Sequence, residues 1–174
     1  QSLSQVPWRI AGRTYGNDHA TLIGLLVQWW IDLDPKKHFA LEGGPAFGYR
    51  ERDQGGGGQC DALLCLDSKP VGVLEVEGTR PEYTVDKIGK FFAAEYEYLR
   101  TLQFGLILVY AYEPTGRGVN RTIPPVLTEK LLNAVHDISK EYPQKSVILV
   151  TMDKKYQRQE TGIRTKSEYY FGEP

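Results

Sequence analysis

The chain has 174 residues, 41% of them hydrophobic and 25% charged, and a formal net charge of -1. That is the profile of one globular domain, residues 1–174, long enough to bury a core without staples. The near-neutral balance excludes a generally basic surface, so any nucleic-acid contact must be a local patch.

The first predicted element is a helix from about His19 to Leu33, which Asn17 or Asp18 can cap and Asp34-Pro35 stops. Its apolar residues Leu22, Ile23, Leu25, Leu26, Val27, Trp29, Trp30 and Ile31 nearly circle the axis. Such a helix is buried on most sides, either at the centre of the fold or as a homodimer contact. The stretch Leu22 to Ile31 is too short to cross a bilayer, and no signal peptide is visible, so no membrane partner is expected.

A strand follows near His38 to Leu41, with a further extended stretch from Phe47 to Tyr49. Gly55 to Gly58 form a flexible loop rather than a linker, because strand-like sequence flanks them closely. Asp61 to Leu66 and Val71 to Glu77 read as two strands around an Asp67-Ser68-Lys69-Pro70 turn. From Thr84 to Leu102 the residues Ile88, Phe91, Phe92, Tyr96 and Leu99 recur at helical spacing. Phe104 to Tyr112 is a buried strand and Arg117 to Pro125 a loop. Thr128 to Tyr142 is a helix and Ser146 to Met152 a last buried strand. The core therefore runs from about residue 17 to 152, and 153–174 is a polar tail with basic and aromatic residues. The predicted fold is α/β, in the order αβββαβαβ: a mixed sheet with helices on both faces.

Two cysteines, Cys60 and Cys65, are expected on one strand with their side chains on opposite faces, as buried free thiols. That fits a reducing, cytoplasmic setting. No Cys/His spacing suggests zinc, and the four glycines lack the Lys-Ser/Thr of a phosphate-binding loop.

The chemistry gathers at Asp61, Glu75 and Glu77. The two glutamates interrupt an apolar strand at alternate positions, so they share a face. Whether Asp61 joins them depends on the hairpin. A three-residue loop sets it opposite Glu75, a five-residue loop opposite Glu77, and a four-residue loop opposite Val76, facing away. Convergence therefore requires an odd loop or a bulge. Clustered carboxylates repel, and partial burial raises their pKa; a divalent cation such as Mg²⁺, with Mn²⁺ as substitute, relieves both penalties.

These residues resemble the PD-(D/E)xK, restriction-endonuclease-like nuclease superfamily. Its pattern is an Asp opening one strand, Glu-x-Lys on the next, then a helix. Asp61 matches the Asp, Glu75 the first acid, and Glu77 stands where Lys is usual. The resemblance spans about residues 22 to 112. It implies a Mg²⁺-dependent endonuclease hydrolysing phosphodiester bonds in DNA, with RNA a second substrate class, Asp61 and Glu75 as metal ligands and Glu77 as ligand or base. Some members carry Glu-x-Glu with an additional upstream Glu, a place that Glu42 matches. Lys87, at the rim of the following helix's apolar face, is the substitute for the missing Lys, whereas Lys90 falls on the solvated side. His19 lies in the first helical turn, where some relatives place a metal ligand; His38 and His136 read as structural or surface residues. Arg50 and Arg52 by the glycine loop, and Lys154, Lys155 and Arg158 in the tail, could neutralise phosphates. The rival expectation is a catalytically inactive module of the same fold that binds nucleic acid or a protein partner.

Overall fold

The structure is a computed structural model that describes residues 18–44, 59–78, 82–110, 123–156 and 163–171. Three α-helices and a six-stranded mixed sheet follow one another as α1 (Asp18–Asp32), β1 (Lys37–Leu41), β2 (Ala62–Leu66), β3 (Lys69–Glu77), α2 (Glu82–Ala93), β4 (Phe104–Tyr110), α3 (Pro125–Glu141), β5 (Ser146–Tyr156) and β6 (Ile163–Phe171). The strands lie in the sheet in chain order, β1-β2-β3-β4-β5-β6. β1, β2 and β3 form an antiparallel meander; β3, β4 and β5 run parallel; β6 returns antiparallel to β5.

The parallel strands need crossovers, and α2 and α3 supply them. Both helices lie on one face, where Val85, Ile88, Phe91, Leu131 and Val135 pack onto Leu63, Val73, Ile107 and Leu149. α1 covers the other face through Leu22, Leu26, Val27 and Trp30, against Ala62, Leu64, Leu74, Val76, Leu106 and Leu108. With both faces covered, β3 and β4 lack polar alternation, and the apolar runs that marked them in the sequence follow. α1 is thus a sheet-covering helix, though Ile23, Leu25, Trp29 and Ile31 remain only partly buried. No helix among the described residues is long and apolar enough to cross a membrane.

α2 lies tight against β4 at a glycine. A methyl group added at Gly105 would sit 2.6 Å from Ile88 Cγ2. Gly105→Ala is therefore expected to push the helix off the sheet and cost about 1–3 kcal/mol, as overpacking of a dense core does. Urea denaturation measures it; an unshifted midpoint would mean the core yields there without strain.

Three expectations need correction. The helix after β3 ends at Ala93 rather than Leu102. The Lys145 amine donates to the Phe92 carbonyl at 3.2 Å, placing a cation on the last turn of α2. The chain then turns extended at Tyr96, which is exposed, and a short 3-10 turn, Glu97–Leu99, buries Leu99 instead. Secondly, the supposed tail is not a tail. β5 continues to Tyr156, and β6 pairs with it from Phe171↔Ile148 to Ile163↔Tyr156, so the order is αβββαβαββ. An edge strand is held by main-chain hydrogen bonds, which leave no hydrophobic period to detect. Thirdly, Cys60 and Cys65 both pack on the α2/α3 side of the sheet. The chain bends at Asp61, ahead of β2, which breaks the alternation assumed between them. Both thiols are free; Cys60 is buried as expected, whereas Cys65 is only partly buried.

Candidate functional site

The register of the β2–β3 hairpin decides whether the acids meet. The turn is tight: Leu66 pairs with Lys69, and Asp67 and Ser68 take φ values of 48° and 64°. Two consecutive left-handed residues make the mirror-image turn that matches strand twist. Continued without interruption, this register would set Asp61 opposite Leu74, on the wrong face. The pairing shifts between Leu64 and Cys65, however, so that Cys65 faces Pro70 and Leu64 faces Gly72. Val71 is the extra residue of a β-bulge. Beyond it Ala62 pairs with Leu74, the last pair of the hairpin, so Asp61 enters β2 beside Glu75 and Val76 rather than beside Leu74. The bulge that convergence requires is present.

Glu75 is 3% exposed, on the α2/α3 side of the sheet between Val73 and Glu77. Its Oε2 accepts a 2.7 Å hydrogen bond from the Lys87 amine, which also donates to the Gln59 carbonyl at 3.2 Å. Lys87 reaches from the second turn of α2, and it is buried. The other oxygen, Oε1, is buried with no hydrogen-bond partner among the described residues. Burial pushes the Glu75 carboxyl up to about 8; Lys87 draws it down in part, and the nearby negative charges of Asp61 and Glu77 raise it further. Cys60, beside this group, is likewise pushed up by burial, so it is a neutral thiol bonded to the Gly43 carbonyl at 3.0 Å.

The raised Glu75 has a consequence for stability. Between the ordinary carboxylate value and about 8, the folded protein keeps a proton that the unfolded chain has released. Stability therefore falls as pH rises through that window and levels off above it. Denaturation midpoints taken from pH 5 to 9 should decline, and Glu75→Gln should flatten the decline; an identical slope in the variant would remove Glu75 as its cause.

Asp61 is partly exposed, and its Oδ2 accepts the Val76 amide hydrogen at 2.7 Å. His19, from the first turn of α1, has its Nε2 3.5 Å from the same oxygen and 2.8 Å from the Val76 carbonyl. The hydrogen bond to Asp61 is the main cause raising the His19 pKa. Glu77 is half-buried at the end of β3 and accepts the Gly78 amide hydrogen at 2.7 Å.

The site thus gathers Asp61, Glu75, Glu77 and Lys87 at one end of β3. Glu42 stands beside it through its main chain: its amide donates to the Asp61 carbonyl at 3.0 Å, in a left-handed turn with φ 47°, while its side chain is exposed. Lys90 pairs with Asp86 at 2.9 Å on the outer side of α2. His38 and His136 are exposed. Lys154 and Lys155 lie on β5, in register with Thr165 and Arg164 of β6. Arg50, Arg52 and Arg158 lie outside the described residues. Sequence reasoning singled out His19 but not its partners; a histidine in a helix's first turn carries no signal of which strand end it will meet.

These groups suit a hard cation in composition. Mg²⁺ commonly takes one or two carboxylates and keeps several waters. Asp61 and Glu75 provide two, and the unpartnered buried oxygen of Glu75 is the kind of atom that calls for an ion or a water. Among the described residues, no three His, Cys, Asp or Glu side chains converge as a ready metal cage. Comparisons of the chain with family models, with curated proteins and with solved structures gave no match.

Proposed function

We propose that the protein is a metal-dependent endonuclease of the PD-(D/E)xK, restriction-endonuclease-like kind, hydrolysing phosphodiester bonds in DNA. One observation carries the proposal. A bulge in the hairpin shifts its register so that Asp61 enters β2 close enough to Glu75 for their charges to interact, and a lysine amine meets Glu75 at 2.7 Å from the neighbouring helix, although the strand itself has Glu77 where a lysine is usual.

In this reading Asp61 and Glu75 hold Mg²⁺ or Mn²⁺, with Glu42 close by. When bound, the cation supplies positive charge for the phosphate and a lowered pKa for water. Lys87 keeps a second positive charge within the dry end of the sheet, able to hold the water or a phosphate oxygen. Glu77 is the base, taking a proton at its carboxylate. The basic positions Arg50, Arg52, Lys154, Lys155 and Arg158 would neutralise phosphates along the strand without reading sequence. A homodimer through the partly buried outer side of α1 would give one site for each strand of a duplex.

Glu77 in place of the usual strand lysine favours a second reading, in which the fold persists as an inactive module binding nucleic acid or a protein. Mn²⁺ titration of the purified protein, run beside plasmid cleavage, separates the two. Saturable Mn²⁺ binding with Mn²⁺-dependent nicking supports the enzyme; metal-independent DNA retention without cleavage supports the module.

A further inference from the structure

β2 begins at Ala62, whereas β3 runs on to Glu77. Past Ala62, the edge of β3 that faced β2 has no strand left to bond. Two side chains complete it. Asp61 Oδ2 accepts the Val76 amide hydrogen at 2.7 Å, and His19 Nε2 lies 2.8 Å from the Val76 carbonyl. His19 comes from α1, on the face of the sheet opposite the one that carries Glu75 and Lys87.

We propose that His19 is a positioning residue for the acid cluster, its Nε2–H tying the Val76 carbonyl and the Asp61 carboxylate into one fixed end of β3. This rests on the metal-site reading and deepens it. A carbonyl oxygen carries no hydrogen, so a 2.8 Å contact with it requires the proton to be on the nitrogen. A nitrogen that holds that proton has no lone pair to offer a cation. Nδ1 keeps its lone pair, but the contacts His19 makes among the described residues are the two at Nε2, and it is through Val76 and Asp61 that it acts on the cluster. Val76 is the residue between Glu75 and Glu77, so the tilt of its peptide sets where both carboxylates point. Asp61, 3.5 Å from the same nitrogen, gains a second partner besides the Val76 amide. Supporting contacts of this kind orient ligands without touching what the ligands hold.

The experiment compares the unsubstituted protein with His19→Ala and His19→Gln, the latter keeping an N–H donor. Calorimetric Mn²⁺ binding and amide exchange at Val76 are the readouts. His19→Ala should weaken Mn²⁺ binding about tenfold, in the range expected for a lost supporting partner. It should also speed exchange at Val76, and His19→Gln should recover most of both. Unchanged affinity and unchanged exchange in His19→Ala overturn the proposal. So does a His19→Gln variant as weak as His19→Ala, which makes the imidazole itself the ligand. If the unsubstituted protein takes up no Mn²⁺, the metal-site reading fails by itself, and Val76 exchange alone then decides whether His19 holds the strand end.

Discussion

Asp61→Asn is expected to lower Mn²⁺-dependent cleavage by about a thousandfold, the scale of removing a group that stabilises charge at the reacting phosphate. The fold should survive it. Asn keeps an oxygen to accept the Val76 amide hydrogen, the contact that closes this end of β3. The side chain is also partly exposed, so losing its charge leaves no buried ion behind. What changes is the net negative charge facing Glu75. A neutral amide oxygen is a weak ligand for a hard cation. Plasmid cleavage and Mn²⁺ calorimetry on the same preparation test this, with a thermal melt as the control for folding. Cleavage at the unsubstituted rate, in a variant confirmed by mass, would remove Asp61 from the site and the endonuclease proposal with it.

The second large effect is expected at Lys87. Its amine meets Glu75 Oε2 at 2.7 Å with both partners buried; above about pH 8, where Glu75 is ionised, this is an ion pair, and breaking such a pair from one side typically costs about 3–5 kcal/mol. Lys87→Met leaves Glu75 without its counter-ion. Burial then acts unopposed on the carboxyl, which is driven further toward its neutral form. The variant should therefore be least stable relative to the unsubstituted protein above about pH 8, where the unsubstituted fold has released the Glu75 proton and the variant's fold still holds it. It should also lose the bond to Gln59, which ties α2 to the segment just ahead of Asp61. Replacing both partners, Lys87→Met with Glu75→Leu, should recover most of the stability, because the apolar pair needs no neutralisation. It should recover none of the cleavage. Urea denaturation at two pH values and the plasmid assay distinguish these outcomes. A double variant no more stable than Lys87→Met would mean that Lys87 acts on the fold by packing rather than by charge.

Much of this architecture was legible in the residues. The apolar runs of β3, β4 and β5, separated by amphipathic helices, announced a mixed sheet covered on both faces, because strands covered on both faces carry no polar alternation. Glu75 and Glu77 stood out against that background for the same reason. β6 was not legible, since Ile163–Phe171 shows no clear apolar period and takes its place by pairing with β5. The end of α2 was missed because Lys145, far along the chain, supplies its last carbonyl contact.

For the site, the residues by themselves determined that two carboxylates share a face of one strand, as the two-residue period of a strand requires. They also determined that convergence with Asp61 needed an odd loop or a bulge. Only the tertiary structure decided which. A two-residue turn and the extra residue Val71 together shift the hairpin by one position, and neither has a fixed signature in composition. The partners were decided there too. Lys87 meets Glu75, and His19 meets Asp61, across gaps of 12 and 42 residues that no local period spans. Side-chain period is a property of one element, whereas register and cross-element contacts depend on how elements pack, and the chemistry proposed for this protein depends on the latter.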